Sequence, residues 1–387
     1  MRKRNVLAAF LLVCLLILWI PADVQATTED GLDFALTADG KSYIISSCDK
    51  EIKGELTLPE TYNGKPVIGI GEHAFADCNA LTCVNIPGSI VSIGKSAFAR
   101  CIRLDKVVMA EGVSIIEAKA FENCIILRDI FVPQSMTYMG ADAFYKCENT
   151  CVHIESVSAW CSITFENGEA NPMSAYLPVY IDGFPKLSLV IPADVKTVSD
   201  YAFYRCGAFA TVVISDGVET IGKYAFANSA SICDVILPES VTKLGEYAFA
   251  NCGNLLSVHL PKTVTSMGAG AFSGCEKLRI SYDGTPEDWQ KAQKGYPGMG
   301  VKEQIVYTSD LPELLGPVIE SLKDPVPAKK QLTVWQIRSL IYFAYYGWVI
   351  LSVYTRKKAN KARVRELLRE AMEEMEADNK QIDGGQK

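Results

Sequence analysis

The sequence is poor in histidine, with three residues in 387, and it lacks the short motifs of common active sites. It contains no GxSxG nucleophile motif, no HExxH zinc-protease motif and no phosphate-binding P-loop. The group Cys147, Cys151, His153 and Cys161 lacks the paired CxxC spacing of structural zinc sites. We therefore predict no catalytic residues, no metal site and no cofactor, and we do not expect the protein to be an enzyme.

Positive charge is also scarce over most of the chain. The formal net charge of the whole sequence is −7. Residues 1–26 carry three cations and one anion, and residues 332–387 carry ten cations and seven anions, which leaves −12 on residues 27–331. A surface of this charge repels phosphate groups, so we expect no nucleic-acid partner.

The main feature of the sequence is a 23-residue repeat. Its most regular position is a phenylalanine, which recurs every 23 residues in two blocks of four. These residues are Phe75, Phe98, Phe121, Phe144, Phe203, Phe226, Phe249 and Phe272. The interval between the two blocks equals one repeat plus 36 additional residues. Self-similarity at a fixed period predicts a solenoid, in which each coil buries its apolar side against its neighbours.

The most regular unit, LTCVNIPGSIVSIGKSAFARC, runs from Leu81 to Cys101. Leu81, Val84 and Ile86 have the spacing LxxLxL, and the alternation with period two predicts a strand that ends at Pro87. The second half of the unit turns the chain, usually through a glycine. Glycine tolerates the positive φ that a tight corner demands, but Glu117 and Ser199 occupy this corner in two copies, so it does not strictly require glycine. The corner glycines are Gly71, Gly94, Gly140, Gly222, Gly245 and Gly268.

The repeated phenylalanines are predicted to stack as a buried ladder along the solenoid. A cysteine follows three residues later in seven of the eight copies, and Ser229 replaces it in the sixth. These cysteines are Cys78, Cys101, Cys124, Cys147, Cys206, Cys252 and Cys275. We interpret them as small buried apolar residues of the same ladder and expect free thiols. Cys151 and Cys161 are the pair that we would test first for a disulfide.

The pattern LxxLxLPxxxxxIGxxAFxxC resembles the repeat of BspA-like leucine-rich repeat surface proteins. The resemblance covers roughly residues 31–308, and residues 160–192 are similar to a hairpin-bearing insert that recurs in that family. It implies a repeat solenoid that is mainly β with short helical turns, stacked as a right-handed leucine-rich repeat. It also implies a bacterial cell-surface protein that acts by binding. Such a repeat is specific for a fold and only weakly specific for a function.

The repeats and the composition of the ends together predict nine segments. They are a signal peptide (1–26), an amino-terminal cap (27–67), leucine-rich repeats 1–4 (68–154), an insert (155–192), leucine-rich repeats 5–8 (193–282), a carboxy-terminal cap (283–308), a stalk (309–332), a transmembrane helix (333–354) and a cytoplasmic tail (355–387).

The two ends of the sequence predict an extracytoplasmic domain with one membrane anchor. Residues 1–26 have a basic start, an apolar run and the small-residue sequence Val24-Gln25-Ala26, which is typical of a signal peptide cleaved after Ala26. Residues 339–354 are apolar and precede a cluster of cations, which favours a single-pass span with the tail in the cytoplasm. A buried or amphipathic helix is the alternative for this run. The tail has helical spacing beyond the cations, so we expect a short cytoplasmic helix.

One row of side chains is predicted to face outward between the buried positions of the LxxLxL strands. Its apolar members Val108, Phe131, Val213 and Ile236 lie beside a more polar row that includes Lys106 and Asp129. An exposed apolar row indicates a protein-binding surface. The preference of β-branched residues for strands is the alternative explanation for the valines and the isoleucine. The insert is the competing candidate site, since long insertions often carry function.

Two functions remain open at this point. The first is a membrane-anchored surface protein that mediates protein–protein interaction or adhesion through an extracellular or cell-surface ligand. The second is a structural or sensory component of the envelope that is coupled to the cell interior through its cytoplasmic helix.

Overall fold

The computed structural model describes residues 26–27, 31–173, 177–292 and 305–307. The predicted signal peptide before Ala26, the stalk, the transmembrane helix and the cytoplasmic tail lie outside these described residues. Among the described residues, no helix has both the length and the apolar character that a membrane crossing requires.

The described part of the chain is a mainly-β solenoid of about ten turns with few helices. The strands up to the end of the insert's hairpin are β1 (Ala26–Thr27), β2 (Leu32–Leu36), β3 (Tyr43–Cys48), β4 (Lys53–Thr57), β5 (Thr61–Tyr62), β6 (Lys65–Ile70), β7 (Ala80–Ile86), β8 (Ser92–Ile93), β9 (Lys106–Met109), β10 (Ile115–Ile116), β11 (Asp129–Val132), β12 (Tyr138–Met139), β13 (Cys151–Ile154), β14 (Thr164–Phe165), β15 (Val179–Ile181) and β16 (Phe184–Pro185). The later strands are β17 (Ser188–Ile191), β18 (Thr197–Val198), β19 (Thr211–Ile214), β20 (Thr220–Ile221), β21 (Asp234–Ile236), β22 (Lys243–Leu244), β23 (Ser257–Leu260), β24 (Ser266–Met267), β25 (Arg279–Tyr282) and β26 (Ile305–Tyr307). The helices are α1 (Val157–Ser162), a 3-10 turn (Gly168–Ala170) and α2 (Pro286–Ala292).

Each regular coil contributes one longer strand and one two-residue strand. The longer strands form a seven-stranded sheet in the order β16-β15-β13-β11-β9-β7-β4 and a six-stranded sheet in the order β17-β19-β21-β23-β25-β26. The short strands pair along two further sheets, of which one also carries β1, β2, β3 and β6. Neighbouring coils pair in parallel at the 23-residue spacing, as Val84 with Val107 and Val107 with Ile130 do. We call the outward side of the two longer-strand sheets the strand face.

The core lies between the long and the short strands of each coil. In β7, Val84 and Ile86 are buried while Asn85 between them faces outward, as the alternation predicts. Leu81, the first residue of the LxxLxL spacing, is fully buried as well. Burial of one such side chain stabilises the fold by roughly 1.5–3 kcal/mol in transfer terms, and every coil repeats the same contribution.

The predicted insert, residues 155–192, continues the solenoid as an irregular coil. Its β14 pairs in parallel with β12, and its β15 pairs in parallel with β13 before turning back as an antiparallel hairpin with β16. The backbone N–H of Phe144 donates to the carbonyl of Glu169 at 3.0 Å, as ladder phenylalanines elsewhere donate to the next coil. The indole of Trp160 then donates to the carbonyl of Ala202 at 2.7 Å. The insert therefore joins the two blocks of repeats through hydrogen bonds.

Both ends of the stack have distinct structures. At the amino-terminal end, β2 and β3 form an antiparallel hairpin whose Phe34 stacks on Tyr62 with ring centroids 4.0 Å apart. At the other end, Trp289 of α2 packs edge-on against Tyr282 at 5.2 Å. Terminal coils lack a neighbour on one side, and these elements cover the apolar surface that would otherwise be exposed.

The reason that we gave for the corner glycines is wrong, because all six lie outside the positive-φ region. Each ladder phenylalanine is instead flanked by residues with positive φ, two residues before it and two residues after it. These residues are His73, Asp77, Ser96, Arg100, Lys119, Asn123, Asp142, Lys146, Tyr201, Arg205, Tyr224, Asn228, Tyr247, Asn251, Gly270 and Gly274. The corner glycines serve close packing: a Cβ on Gly94 would lie 2.6 Å from the carbonyl oxygen of Ile70 in the preceding coil.

Candidate interaction surface

Strand register aligns the outward side chains of successive coils into two rows on the strand face. The central row contains Asn85, Val108, Phe131, His153 and Tyr180 on the first sheet, and Val190, Val213, Ile236, His259 and Ser281 on the second. The polar row beside it contains Cys83, Lys106, Asp129 and Cys151 on the first sheet, and Ser188, Thr211, Asp234, Ser257 and Arg279 on the second. All six candidate binding residues belong to these two rows.

On the first sheet, the central row ends in a stack of three rings. Phe131 lies against His153 with centroids 4.0 Å apart, and His153 lies against Tyr180 at 4.5 Å. Lys106 places its ammonium 5.2 Å from the centre of the Phe131 ring, and His153 Nε2 is 2.7 Å from Asp129 Oδ1. Phe131 is therefore packed among side chains of its own chain and is half-buried.

The second sheet presents more exposed apolar surface. Ile236 is 51% exposed and Val190, two coils earlier in the same row, is 52% exposed, while Val213 between them is half-buried. Phe184 of β16 in the first sheet and Leu187, just before β17, are exposed to 66% and 79% but lie outside both rows. We call Val190 and Ile236, which flank Val213 in the central row, the apolar patch. It contains residues from both of the sites that the sequence offered as alternatives.

The ladder lies on the inner side of the same coils. The rings of Phe75, Phe98, Phe121 and Phe144 stack at centroid distances of 4.9, 5.2 and 5.3 Å. The second run, Phe203, Phe226, Phe249 and Phe272, stacks at 5.2, 5.1 and 5.5 Å. In the irregular coil between the two runs, the buried Ala170 stands where a ladder phenylalanine would be. It directly follows Glu169, whose carbonyl accepts the N–H of Phe144.

The ladder cysteines make a specific contact as well as filling space. In five coils the thiol donates to the carbonyl oxygen of the phenylalanine one coil earlier, as from Cys101 to Phe75 at 3.1 Å and from Cys252 to Phe226 at 3.2 Å. The others are Cys124, Cys147 and Cys275. Ser229 makes the same bond through its hydroxyl, to Phe203 at 2.9 Å. A cysteine or a serine therefore fits because both donate a hydrogen bond at this position.

The repeat pattern with this coil geometry identifies the family. The family described as BspA type leucine-rich repeat region matches residues 52–170 and 186–287, in six copies. The chain belongs to the BspA-type leucine-rich repeat family. The match begins within the predicted amino-terminal cap, where β4 already pairs with the first longer strand, β7, and β6 pairs with the first two-residue strand, β8.

Solved structures of bacterial leucine-rich repeat proteins are similar to this BspA-type chain. The Leucine Rich Repeat protein of T. pallidum is 23% identical, over 71% of this chain and 96% of that chain, with a TM-score of 0.38. The pneumococcal vaccine antigen PcpA is 19% identical over 67% and 81%, with a TM-score of 0.38. A leucine-rich repeat protein from Eubacterium ventriosum is 21% identical over 74% and 86%, with a TM-score of 0.43. A comparison with curated proteins found no match.

One arrangement in this BspA-type solenoid superficially resembles a catalytic triad. His259 on the strand face has Nδ1 2.9 Å from Ser281 Oγ and Nε2 2.9 Å from Asp283 Oδ2. In serine hydrolases, the serine contacts Nε2 and the aspartate contacts Nδ1, in a site that excludes water. The nitrogens are exchanged here and the His259 side chain is 51% exposed. The three residues form a surface hydrogen-bond network, and spacing alone did not reveal it because they lie on adjacent coils.

The four residues that we considered for zinc do not converge. Cys147 donates its thiol to the carbonyl of Phe121, and His153 contacts Asp129. Cys161 is buried in α1, and this burial raises the pKa of its thiol. Among the described residues, no group of three or more histidine, cysteine or acidic side chains is arranged to hold a metal ion. A leucine-rich repeat solenoid of this type is typically a non-catalytic binding scaffold.

Proposed function

We propose that the protein is a membrane-anchored cell-surface protein whose repeat domain binds another protein through the apolar patch, without catalysis. The observation that carries this proposal is the exposure of Val190 and Ile236 in one row of the strand face, two coils apart with Val213 between them. Removing exposed apolar groups from water makes the free energy of binding more favourable, and the binding energy of an interface concentrates in a few large side chains.

Charge indicates the kind of protein that would bind. Residues 27–331 carry a net charge of −12, as derived above from the sequence. A partner with basic residues around an apolar contact would be attracted by this field and would bury the patch at the centre of the interface. The polar row adds Asp234, which is exposed beside Ile236. We therefore propose a basic protein partner, with the apolar patch as the anchor.

Replacement of Ile236 by lysine is expected to weaken binding by roughly tenfold or more, because a charge would be buried in the apolar centre of the interface. The full chain would be used to capture partners from the surface of the cells that produce it, and the yield of each captured protein would be compared between variants. Ile236→Lys should leave the denaturant midpoint unchanged, since this side chain is half exposed and lies outside the core.

The matched control is Ile125→Lys. Ile125 is 48% exposed, similar to Ile236, but it lies in the turn after a ladder cysteine and outside both rows of the strand face. A partner that is lost with Ile236→Lys and retained with Ile125→Lys supports the proposal. Equal capture by wild type and Ile236→Lys would contradict it. Phe131→Glu is a poorer probe, because it would also break the contacts with His153 and Lys106.

Membrane anchoring is the second part of the proposal, and the sequence supports it. Residues 333–354 combine an apolar run with a single internal cation, Arg338, near the outer boundary, where it could extend toward water. The cations that follow are Arg356, Lys357, Lys358, Lys361, Arg363 and Arg365. An excess of cations next to an apolar run favours the cytoplasmic side for the tail.

Protease added to intact cells is expected to digest the repeat domain and to spare an epitope placed after Lys380. Permeabilised cells provide the control, because the epitope should then be digested as well. Cleavage of the epitope in intact cells, or recovery of the whole protein from the medium, would show that the proposed anchor or its orientation is wrong.

A further inference from the structure

The first ladder cysteine differs from those that follow it. In five of the six later coils with a ladder cysteine, the thiol donates to the phenylalanine carbonyl one coil earlier. Cys78 belongs to the first coil that has a ladder phenylalanine, and what precedes it is the cap hairpin of β2 and β3. Its Sγ instead lies 2.9 Å from Sγ of Cys48, the last residue of β3. The regular contact of the ladder is thus replaced by a contact between two cysteines.

Both thiols are enclosed by the structure. Cys48 is 7% exposed and Cys78 is fully buried, and both belong to the core that joins the cap to the coils. Two sulfur atoms in non-bonded contact repel at this separation, since dispersion contacts are optimal at about 3.5–4 Å even between the smaller carbon atoms. The cap and the first coil therefore hold these two side chains close together, as a covalent link would require.

We propose that Cys48 and Cys78 form a disulfide that fastens the amino-terminal cap to the first coil of the stack. In forming the bond, the two thiols lose two protons and two electrons. The electrons pass to a disulfide-containing oxidant, such as oxidised glutathione or a disulfide-bearing oxidoreductase, which is reduced to two thiols. One cysteine attacks the oxidant as a thiolate, forms a mixed disulfide and releases the first thiol; the other cysteine then attacks the sulfur of the first and releases the second thiol.

In the closed cap, the contact between the two thiols shifts their pKa values in opposite directions. The pKa of Cys78 is lowered, first because of its contact with the Cys48 thiol and also because of the positive charge of Lys50. Lys50 is held nearby, since its ammonium donates to the carbonyl of Ala76 at 2.7 Å. The same contact, together with burial, raises the pKa of Cys48. By contrast, burial together with the nearby Cys78 raises the pKa of Cys101 to about 12, which keeps that thiol protonated as a donor.

A disulfide at this position would stabilise the end of the solenoid. An end coil is held by a neighbour on one side only, so it opens more easily than the middle of the stack. A covalent bond between residues 48 and 78 removes conformational freedom from the unfolded chain and stops the cap from opening separately. Because both sulfurs are buried in the closed cap, oxidation takes place while the cap is open, during folding or by local opening.

The test uses the detergent-solubilised full chain, equilibrated with oxidised glutathione and then denatured in the presence of an alkylating reagent. Peptide mass spectrometry should recover the peptides of Cys48 and Cys78 joined, lighter by two hydrogen atoms than the separate thiols. The half-buried Cys83, Cys151 and Cys233 should be alkylated or carry glutathione singly. Recovery of Cys48 and Cys78 without a bond between them, or bonding of either to another ladder cysteine, would overturn the proposal.

A stability measurement distinguishes a disulfide from two free thiols that lie close together. Reduction should lower the denaturant midpoint of the oxidised wild-type chain, and Cys48→Ser should abolish this response to reductant. Cys83→Ser is the matched control, because Cys83 lies on the strand face and should leave the response intact. A midpoint that does not respond to reductant in the oxidised wild type would also contradict the proposal.

Discussion

Phe98→Ala is expected to lower the free energy of unfolding by about 3–5 kcal/mol, because it leaves a cavity in the closely packed ladder. The Phe98 ring is fully buried between Phe75 at 4.9 Å and Phe121 at 5.2 Å. The gap cannot close by collapse, since the long and the short strands of the same coil each pair with both neighbouring coils. The loss should therefore lie in the upper part of the range for large-to-small substitutions.

Denaturant unfolding of the purified variant measures this effect. Phe249→Ala should behave in the same way, because Phe249 stacks between neighbours at 5.1 and 5.5 Å in the second run. Phe184→Ala is the matched control: its ring is 66% exposed, so the change should stay within about 0.5 kcal/mol. Midpoints for Phe98→Ala that equal those of wild type would refute the role of the ladder.

The regular part of the fold was predictable because each coil buries the same set of apolar residues and pairs with its neighbours at the same spacing. An alternating strand such as β7 buries Val84 and Ile86 and exposes Asn85, and the next coils pair with it at the 23-residue spacing. The rows of the strand face follow from that spacing, which is why Phe131 and Ile236 were found in one row. Val190 lies one period before Val213 and could have been found by the same count.

The irregular part was not predictable from the period. His153 and Tyr180 join Phe131 in one stack, but Tyr180 comes from the insert, where the interval between strands is no longer 23 residues. The partnership of Cys48 with Cys78 depends on how the cap hairpin meets the first coil. Such contacts arise where a unit lacks an identical neighbour, so repetition of the sequence carries no information about them.

The corner glycines show the opposite case, in which the residues were recognised and the reason was wrong. Glycine is often selected for positive φ, but it is also selected where another backbone comes close. The two coils with another residue at this corner use its side chain to contact the preceding coil. Glu117 accepts a hydrogen bond from the backbone N–H of Lys95 at 3.0 Å, and Ser199 donates to the carbonyl of Cys161 at 2.6 Å. A side chain is therefore tolerated where it forms such a bond.

Gly245→Ala is expected to lower the free energy of unfolding by about 1–3 kcal/mol, because the added methyl group overpacks the contact between two coils. An ideal Cβ at this position would lie 2.5 Å from both the carbonyl carbon of Gly222 and the backbone nitrogen of Lys223. Alanine, unlike Glu117 or Ser199, has no polar group with which to offset the displacement of that backbone. The strain should also spread along the stack, since Gly222 and Gly268 occupy the equivalent corners of the adjacent coils.

Gly253→Ala is the control that separates close packing from loss of glycine itself. Nothing lies within 4 Å of a Cβ at Gly253, and its φ is not positive. Alanine reduces the freedom of the unfolded chain at such a site, so Gly253→Ala should be neutral or stabilising by up to about 1 kcal/mol. Denaturant midpoints for both variants show whether close packing or the loss of glycine itself lowers the stability. If Gly245→Ala proved as stable as Gly253→Ala, the coils would have room at their corners, and the repeated glycine would need a reason other than the approach of neighbouring backbones.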